Sequence, residues 1–271
     1  MTIKRADMGG MDPALADRTA TRLAGIADSS LPVRSMTIPG IDGALEARIL
    51  STDLRGSSTR LVRLRAGWGP QTRGAFSADA ELFVIQGSLD VGAHALGAGD
   101  YVHVPKGRTI PRLRITAGGS ALLMTSAPVG FDRSFQGRPA QLVPGRASER
   151  DWVPVPEMPG RHIKPLGRGP VGDVWLAGAR EWDHGDGRWH RHPHHEECFI
   201  IGGEVTLHEQ PDGADEVFTS GPGTYFFRPA GVLHGGPGSR CDDTMLAFHR
   251  AFGDLSTQWV DSPADHDDGG L

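Results

Sequence analysis

The stretch Trp189-His190-Arg191-His192-Pro193-His194-His195-Glu196-Glu197, with Gly223-Thr224-Tyr225-Phe226-Phe227-Arg228-Pro229-Ala230-Gly231-Val232-Leu233-His234 downstream, decides how this chain is read. Two histidines stand two apart and a carboxylate follows four residues later. On an extended strand, side chains at i and i+2 share a face, so His190 and His192 can hold one ion together. Glu196 and the distant His234 complete a candidate set of three imidazoles and one carboxylate. That mixture suits a divalent transition metal of intermediate softness and leaves positions open for water, oxygen or substrate.

The two pieces resemble the paired motifs of the cupin superfamily. The first cupin motif runs His-x-His, three or four residues, Glu, six residues, Gly; His190, His192, Glu196 and Gly203 match it. The second runs Gly, five residues, Pro-x-Gly, two residues, His, three residues, Asn. Gly223, Pro229, Gly231 and His234 match it, and Gly238 stands where Asn is usual. Gly185 sits one place too close to be the leading glycine of the first motif. The wording His-Pro-His-His-Glu-Glu and Arg-Pro-x-Gly-x-x-His-Gly is similar to cupins related to the ChrR anti-sigma-factor domain. The resemblance implies jelly-roll barrels with one metal ion per chain on His190, His192, Glu196 and His234. Fe(II) is the expected ion, and Zn, Ni or Mn are compatible with the same donors.

The pattern is written twice. Ala80-Glu81-Leu82-Phe83-Val84-Ile85-Gln86-Gly87 parallels Glu196 to Gly203, and Gly99-Asp100-Tyr101-Val102-His103-Val104-Pro105-Lys106-Gly107 parallels Gly223 to Gly231. The second copy carries extra residues that fit a hairpin loop around Gln210–Asp215. Aligned on Gly87 and Gly203, the positions of His190, His192, Glu196 and His234 become Gly74, Phe76, Ala80 and Ile110, none of which binds metal. The first copy therefore reads as a frame without a site. It is expected to pack against the second barrel or to form part of a dimer interface; a metal-free ligand pocket is the alternative.

The expected architecture is all-β: two tandem cupin barrels, a bicupin, with a short N-terminal helix. Residues 1–34 form the arm, with a helix from Pro13 to Ala27 capped by Asp12. Residues 35–128 form the metal-free barrel, 129–149 the linker and 150–252 the metal-binding barrel. Residues 253–271 form a flexible, acidic, apolar-poor tail. Strands are expected at Leu61–Arg65, Glu81–Gln86, Tyr101–Val104, Ala121–Met124, Val174–Ala177, Glu197–Ile201, Val205–His208, Tyr225–Arg228 and Met245–His249. Gly 38 and Pro 20 supply the turns that so many strands need.

Composition narrows the function classes. A net charge of −5 without a basic run argues against nucleic acid. Apolar runs such as Cys198-Phe199-Ile200-Ile201 are far too short to span a bilayer, and the amino terminus has no signal-peptide pattern. A cytoplasmic protein is expected, by family habit a homodimer, with Cys198 and Cys241 as free thiols. His194 and His195 read as solvated or supporting residues, and His184, His208 and His249 as structural or exposed. Glu197 points opposite to Glu196 and reads as a surface or hydrogen-bonding residue. Trp175, Trp189, Tyr225, Phe227, Arg228, His249 and Arg250 are candidates for a pocket wall, each with a packing reading beside it.

Three functions compete. The first is a mononuclear Fe(II) dioxygenase acting on a small oxygenated organic substrate, which the cupin resemblance favours. The second is a Lewis-acid isomerase, lyase or hydrolase on the same cage. The third is a metal-dependent small-molecule binder like the ChrR-type regulators, disfavoured because no DNA-reading motif accompanies the barrels.

Overall fold

The computed structural model describes residues 23–183 and 188–261. Among them the regular structure is strands, joined by turns and by single 3-10 turns at Asp28–Ser30, Ala147–Glu149 and Pro211–Gly213. The strands fall where apolar residues alternate or run together between glycines. All nine strands expected from the sequence are present, with wider bounds in most cases.

In the first half, Arg34–Thr37, Ala44–Thr52, Ser58–Leu64, Leu113–Thr125, Ala80–Val91 and His94–Leu96 lie side by side in that order. Tyr101–Val104 pairs with the start of Ala80–Val91, on the same edge that His94–Leu96 takes at its end. A small sheet of Phe131–Asp132, Gly74–Phe76 and Thr109–Ile110 faces it. In the second half, Asp173–Asp183 lies between Arg161–Arg168 and Arg240–Ala251. Glu196–Gly203 pairs with both Arg240–Ala251 and Thr224–Arg228, and Trp189–Arg191 pairs with Leu233–His234. The loop at Gln210–Asp215 joins Val205–Gln210 to Glu216–Ser220 as a hairpin.

Register shows that the two halves follow one strand plan. Gly74 lies opposite Ile110 in the first half, as His190 lies opposite His234 in the second. Ala80 pairs with Val104 and Thr125; Glu196 pairs with Arg228 and Ala251. The first-half lumen is solid where the second has histidines. Phe76, Ala80 and Ile110 are buried there, and Phe131 packs edge-on against Phe76 at 5.2 Å between centroids.

The halves share a core of their own. Leu50, Phe83, Leu122 and Met124 from the first pack with Leu176, Phe199, Phe227 and Phe248 from the second, and the Phe83 and Phe248 rings lie 4.4 Å apart. Each buried aromatic of this kind is worth roughly 1.5–3 kcal/mol. A polar network crosses the same joint. Arg250 donates to Glu81 and, through Nε at 3.0 Å, to Glu197. Glu197 also accepts from Thr59 at 2.9 Å and Tyr225 at 2.8 Å, and Glu81 accepts from Tyr101 at 2.6 Å.

Three expectations change. Leu23–Ala27, the end of the expected Pro13–Ala27 helix, is a strand antiparallel to Thr224–Arg228, and Ile26 is buried by it; an exposed sheet edge there takes the backbone bonds that a helix would have made internally. The rest of that helix lies outside the described residues. The linker 129–149 is not a free connection, since Phe131–Asp132 pairs with Gly74–Phe76 and Gly145 bridges to Tyr101. Nor is the start of the 253–271 tail loose: Gln258–Val260 pairs with Trp189–Arg191, because the edge of that strand otherwise leaves amides unpaired.

Candidate metal centre

Strand alternation aims His190 into the second-half lumen, and the chain leaves the strand at His192. His234 arrives from the facing Leu233–His234 strand. All three are buried, and their donor atoms lie within 4.8 Å of one another. His192 donates Nδ1–H to the Ser256 carbonyl at 2.7 Å, and His234 donates Nδ1–H to the Val232 carbonyl at 2.9 Å. A carbonyl only accepts, so both rings keep the Nε2 lone pair for a ligand. His190 has a buried Nδ1 without a hydrogen-bond partner. Its ring edge presses on Gly235, where a Cβ would fall 2.3 Å from Cε1. Burial, with neighbouring His234 and His192, pushes the pKa of His190 well below its ordinary value. Burial, with Arg228, does the same to His234. Three imidazoles converging on one point fit a transition-metal ion.

Glu196 lines the same cavity but falls outside that trio. Its Oε2 accepts from Arg228 Nη1 at 2.7 Å and its Oε1 from His249 Nδ1 at 2.7 Å. Against a large desolvation cost, His249 and Arg228 hold its carboxyl well below the usual carboxylate range. Arg228 is gripped on its other side by Glu209, at 2.7 Å from Nε. The His249 ring stacks on Trp175 with centroids 5.2 Å apart, and its Nε2 lies 3.5 Å from the Cys198 sulfur. Gly203, the closing glycine of the first motif, takes φ +72, where a Cβ would meet the Thr244 carbonyl oxygen at 1.7 Å.

Of the sequence's pocket candidates, Trp175, Arg228 and His249 line the cavity, whose volume is about 140 Å³. Tyr225, Phe227 and Arg250 face the joint between the halves instead. Trp189 packs edge-on against His208 at 4.5 Å. His208 is structural, accepting from Gly238 N at 3.0 Å, the position where the motif usually has Asn. His195 accepts from Ala230 N, and His194 stacks on His192. His184 lies outside the described residues. Glu197 is buried in the joint, not on the surface; its hydrogen-bonding reading holds.

Arg161, Trp182, Leu255, Thr257 and Trp259 line the cavity without having been singled out by the sequence. The last three come from the segment read as a tail. Its acidic, apolar-poor end masked them, although a tryptophan and a leucine close to such an end were a usable signal. Cys198 and Cys241 are buried and unpaired. Among the described residues, no helix is long and apolar enough to cross a membrane.

An all-β chain with histidines converging inside its barrel has the cupin fold. Solved structures agree on that fold: a candidate dioxygenase of Nostoc punctiforme PCC 73102 aligns with TM-score 0.71 at 20% identity, covering 86% of this chain and 83% of its own. Oxalate decarboxylase of Bacillus subtilis aligns with TM-score 0.60 at 11% identity, covering 87% and 78%; Mn(II) centres are named for that protein. The chain belongs to the family described as "Domain of unknown function (DUF4437)", which matches residues 34–258. A comparison with curated proteins gave no match.

Proposed function

We propose that the chain is a metal-dependent oxidoreductase, a mononuclear Fe(II) dioxygenase acting on a small oxygenated organic molecule in the second-half cavity. His190, His192 and His234 would hold the ion, the latter two through Nε2. Glu196 is the fourth donor: each of its oxygens spends one lone pair on Arg228 or His249 and keeps another. A divalent ion bound there supplies Lewis acidity and, as iron, electron exchange with oxygen. The chain's own residues do the rest. Arg228 and His249 keep Glu196 anionic, carbonyls fix two imidazole tautomers, and apolar walls exclude water.

The observation that carries this reading is the histidine trio with donors within 4.8 Å. Likeness to the N. punctiforme candidate dioxygenase supports the oxygen chemistry. The Lewis-acid reading draws instead on the likeness to oxalate decarboxylase with its named Mn(II) centres. The test is metal content by mass spectrometry on protein produced without added metal, then oxygen consumption after anaerobic Fe(II) loading. About one iron per chain with substrate-dependent uptake is the expected result. Tight zinc, nickel or manganese without oxygen uptake refutes the dioxygenase reading and favours the Lewis-acid one.

A further inference from the structure

Arg161 opens the strand Arg161–Arg168 opposite Ala179 and lines the cavity beside the histidines. Its guanidinium lies 5.4 Å from the Trp182 ring centre, and its Nη1 reaches the Met158 sulfur at 3.5 Å. Its Nε is buried without a hydrogen-bond partner. Among the described residues no carboxylate lies within ion-pair distance of it. The cavity's other arginine is a contrast: Arg228 is held at 2.7 Å by both Glu196 and Glu209. Arg161 is half-buried: the one buried donor left without a partner is Nε, and the rest of its planar five-donor fork meets only the Trp182 face and the Met158 sulfur among the described residues. A ligand entering the cavity can meet these donors.

Charge points to what arrives. Glu196 and Glu209 against Arg228 and Arg161 sum to zero (−2 and +2). A divalent ion on neutral imidazoles then leaves the site at +2 inside apolar walls such as Val155, Ile163, Leu207 and Met245. An anionic ligand offsets that charge in a low-dielectric setting. Size limits it: a cavity of about 140 Å³ is comparable to one that accepts a single benzene molecule.

We propose that Arg161 binds the carboxylate of the substrate, a small monocarboxylate with an apolar body no larger than about one six-membered ring. The planar fork of arginine matches a carboxylate through two parallel hydrogen bonds. The proposal rests on the metal-centre reading and deepens it by naming the substrate class.

The test uses the full chain, Zn(II)-loaded and metal-free, titrated by calorimetry with benzoate and with its neutral isostere benzamide. Wild type is expected to bind benzoate at least tenfold more tightly than benzamide, and to keep a preference for benzoate without metal. Arg161→Met should erase that metal-free preference while zinc content stays unchanged, and Arg161→Lys should retain part of it. Equal affinity for the two probes in wild type overturns the proposal, as does an undiminished preference in Arg161→Met. If Arg161→Met does not fold, the metal-free wild-type ratio decides. Zinc content is measured separately, so failure of the metal centre itself shows as absent zinc, whatever the probes do.

Discussion

Replacing Arg250 with methionine tests whether a buried charge network joins the two halves. Arg250 lies with Nη2 2.7 Å from Glu197 Oε2 and donates Nη1 to Glu81. All three side chains are at most 3% exposed. Methionine fills much of the aliphatic stem but leaves two buried carboxylates without their cation. Removing one partner of such a set costs about 3–5 kcal/mol. In a chain of this size each kcal/mol moves Tm by roughly 2–4 °C, so the expected drop is roughly 6–20 °C. Adding Glu81→Gln and Glu197→Gln should recover much of it, since an amide oxygen still accepts from Tyr101 and Tyr225 while the charge is gone. The assay is differential scanning calorimetry at neutral pH with urea midpoints as a second measure. Arg250→Met within about 2 °C of wild type would refute the network as a source of stability. A triple variant no better than the single one would show that the loss is packing, not charge.

Gly235→Ala adds a methyl 2.3 Å from His190 Cε1 at a residue with φ +74. Metal affinity should fall about 10–100-fold by chelator competition, and an unchanged affinity would mean that His190 is not a donor. Ending the chain after Phe252 removes the carbonyl that orients His192 and the Trp259 ring 5.0 Å from His190. A similar affinity loss is expected, whereas Ser256→Ala, which keeps the carbonyl, should bind metal like wild type. Burial pushes the Cys198 thiol up to about 12. At pH 8 on the order of one thiol in ten thousand is then ionised, so native protein should resist a thiol reagent at Cys198 that labels it quickly in urea. Rapid native labelling at Cys198, located by peptide mapping, would contradict the burial.

The sequence made the fold legible because its cues are local. Turn glycines, period-two alternation and the spacing from His190 to Gly203 all sit within short windows. The repeat was legible for the same reason, down to Gly74, Ala80 and Ile110 at the places of His190, Glu196 and His234. What stayed hidden depends on contacts between distant segments. Ser256 acts through its backbone carbonyl, which no side-chain pattern reveals. Leu23–Ala27 reads as the end of a helix until an unpaired sheet edge claims it. Arg161 sits in a strand of mixed polarity, where nothing nearby distinguishes a cavity arginine from a solvated one.

Alternation along the strands also explains why the half without histidines matters to the half that has them. Glu196 points into the lumen and Glu197 into the joint; His249 and Arg250 divide the same way, as do Arg228 and Phe227. These residues are cross-strand neighbours, since Glu196 pairs with Arg228 and Glu197 with both Phe227 and Arg250. Ser51, Thr59 and Glu81 of the first half grip Glu197 and Arg250. They thereby fix the register of the two strands that carry Glu196 and His249. A slip of one residue would exchange the lumen set for the joint set, burying Arg250 in the cavity and stranding Glu196 against Leu50 and Phe83. The first half, with Gly74, Phe76, Ala80 and Ile110 where the second has its candidate donors, thus still bears on that site, because its polar side chains and aromatic face hold the second half's strands in the register that brings the histidine trio and Glu196 to one cavity.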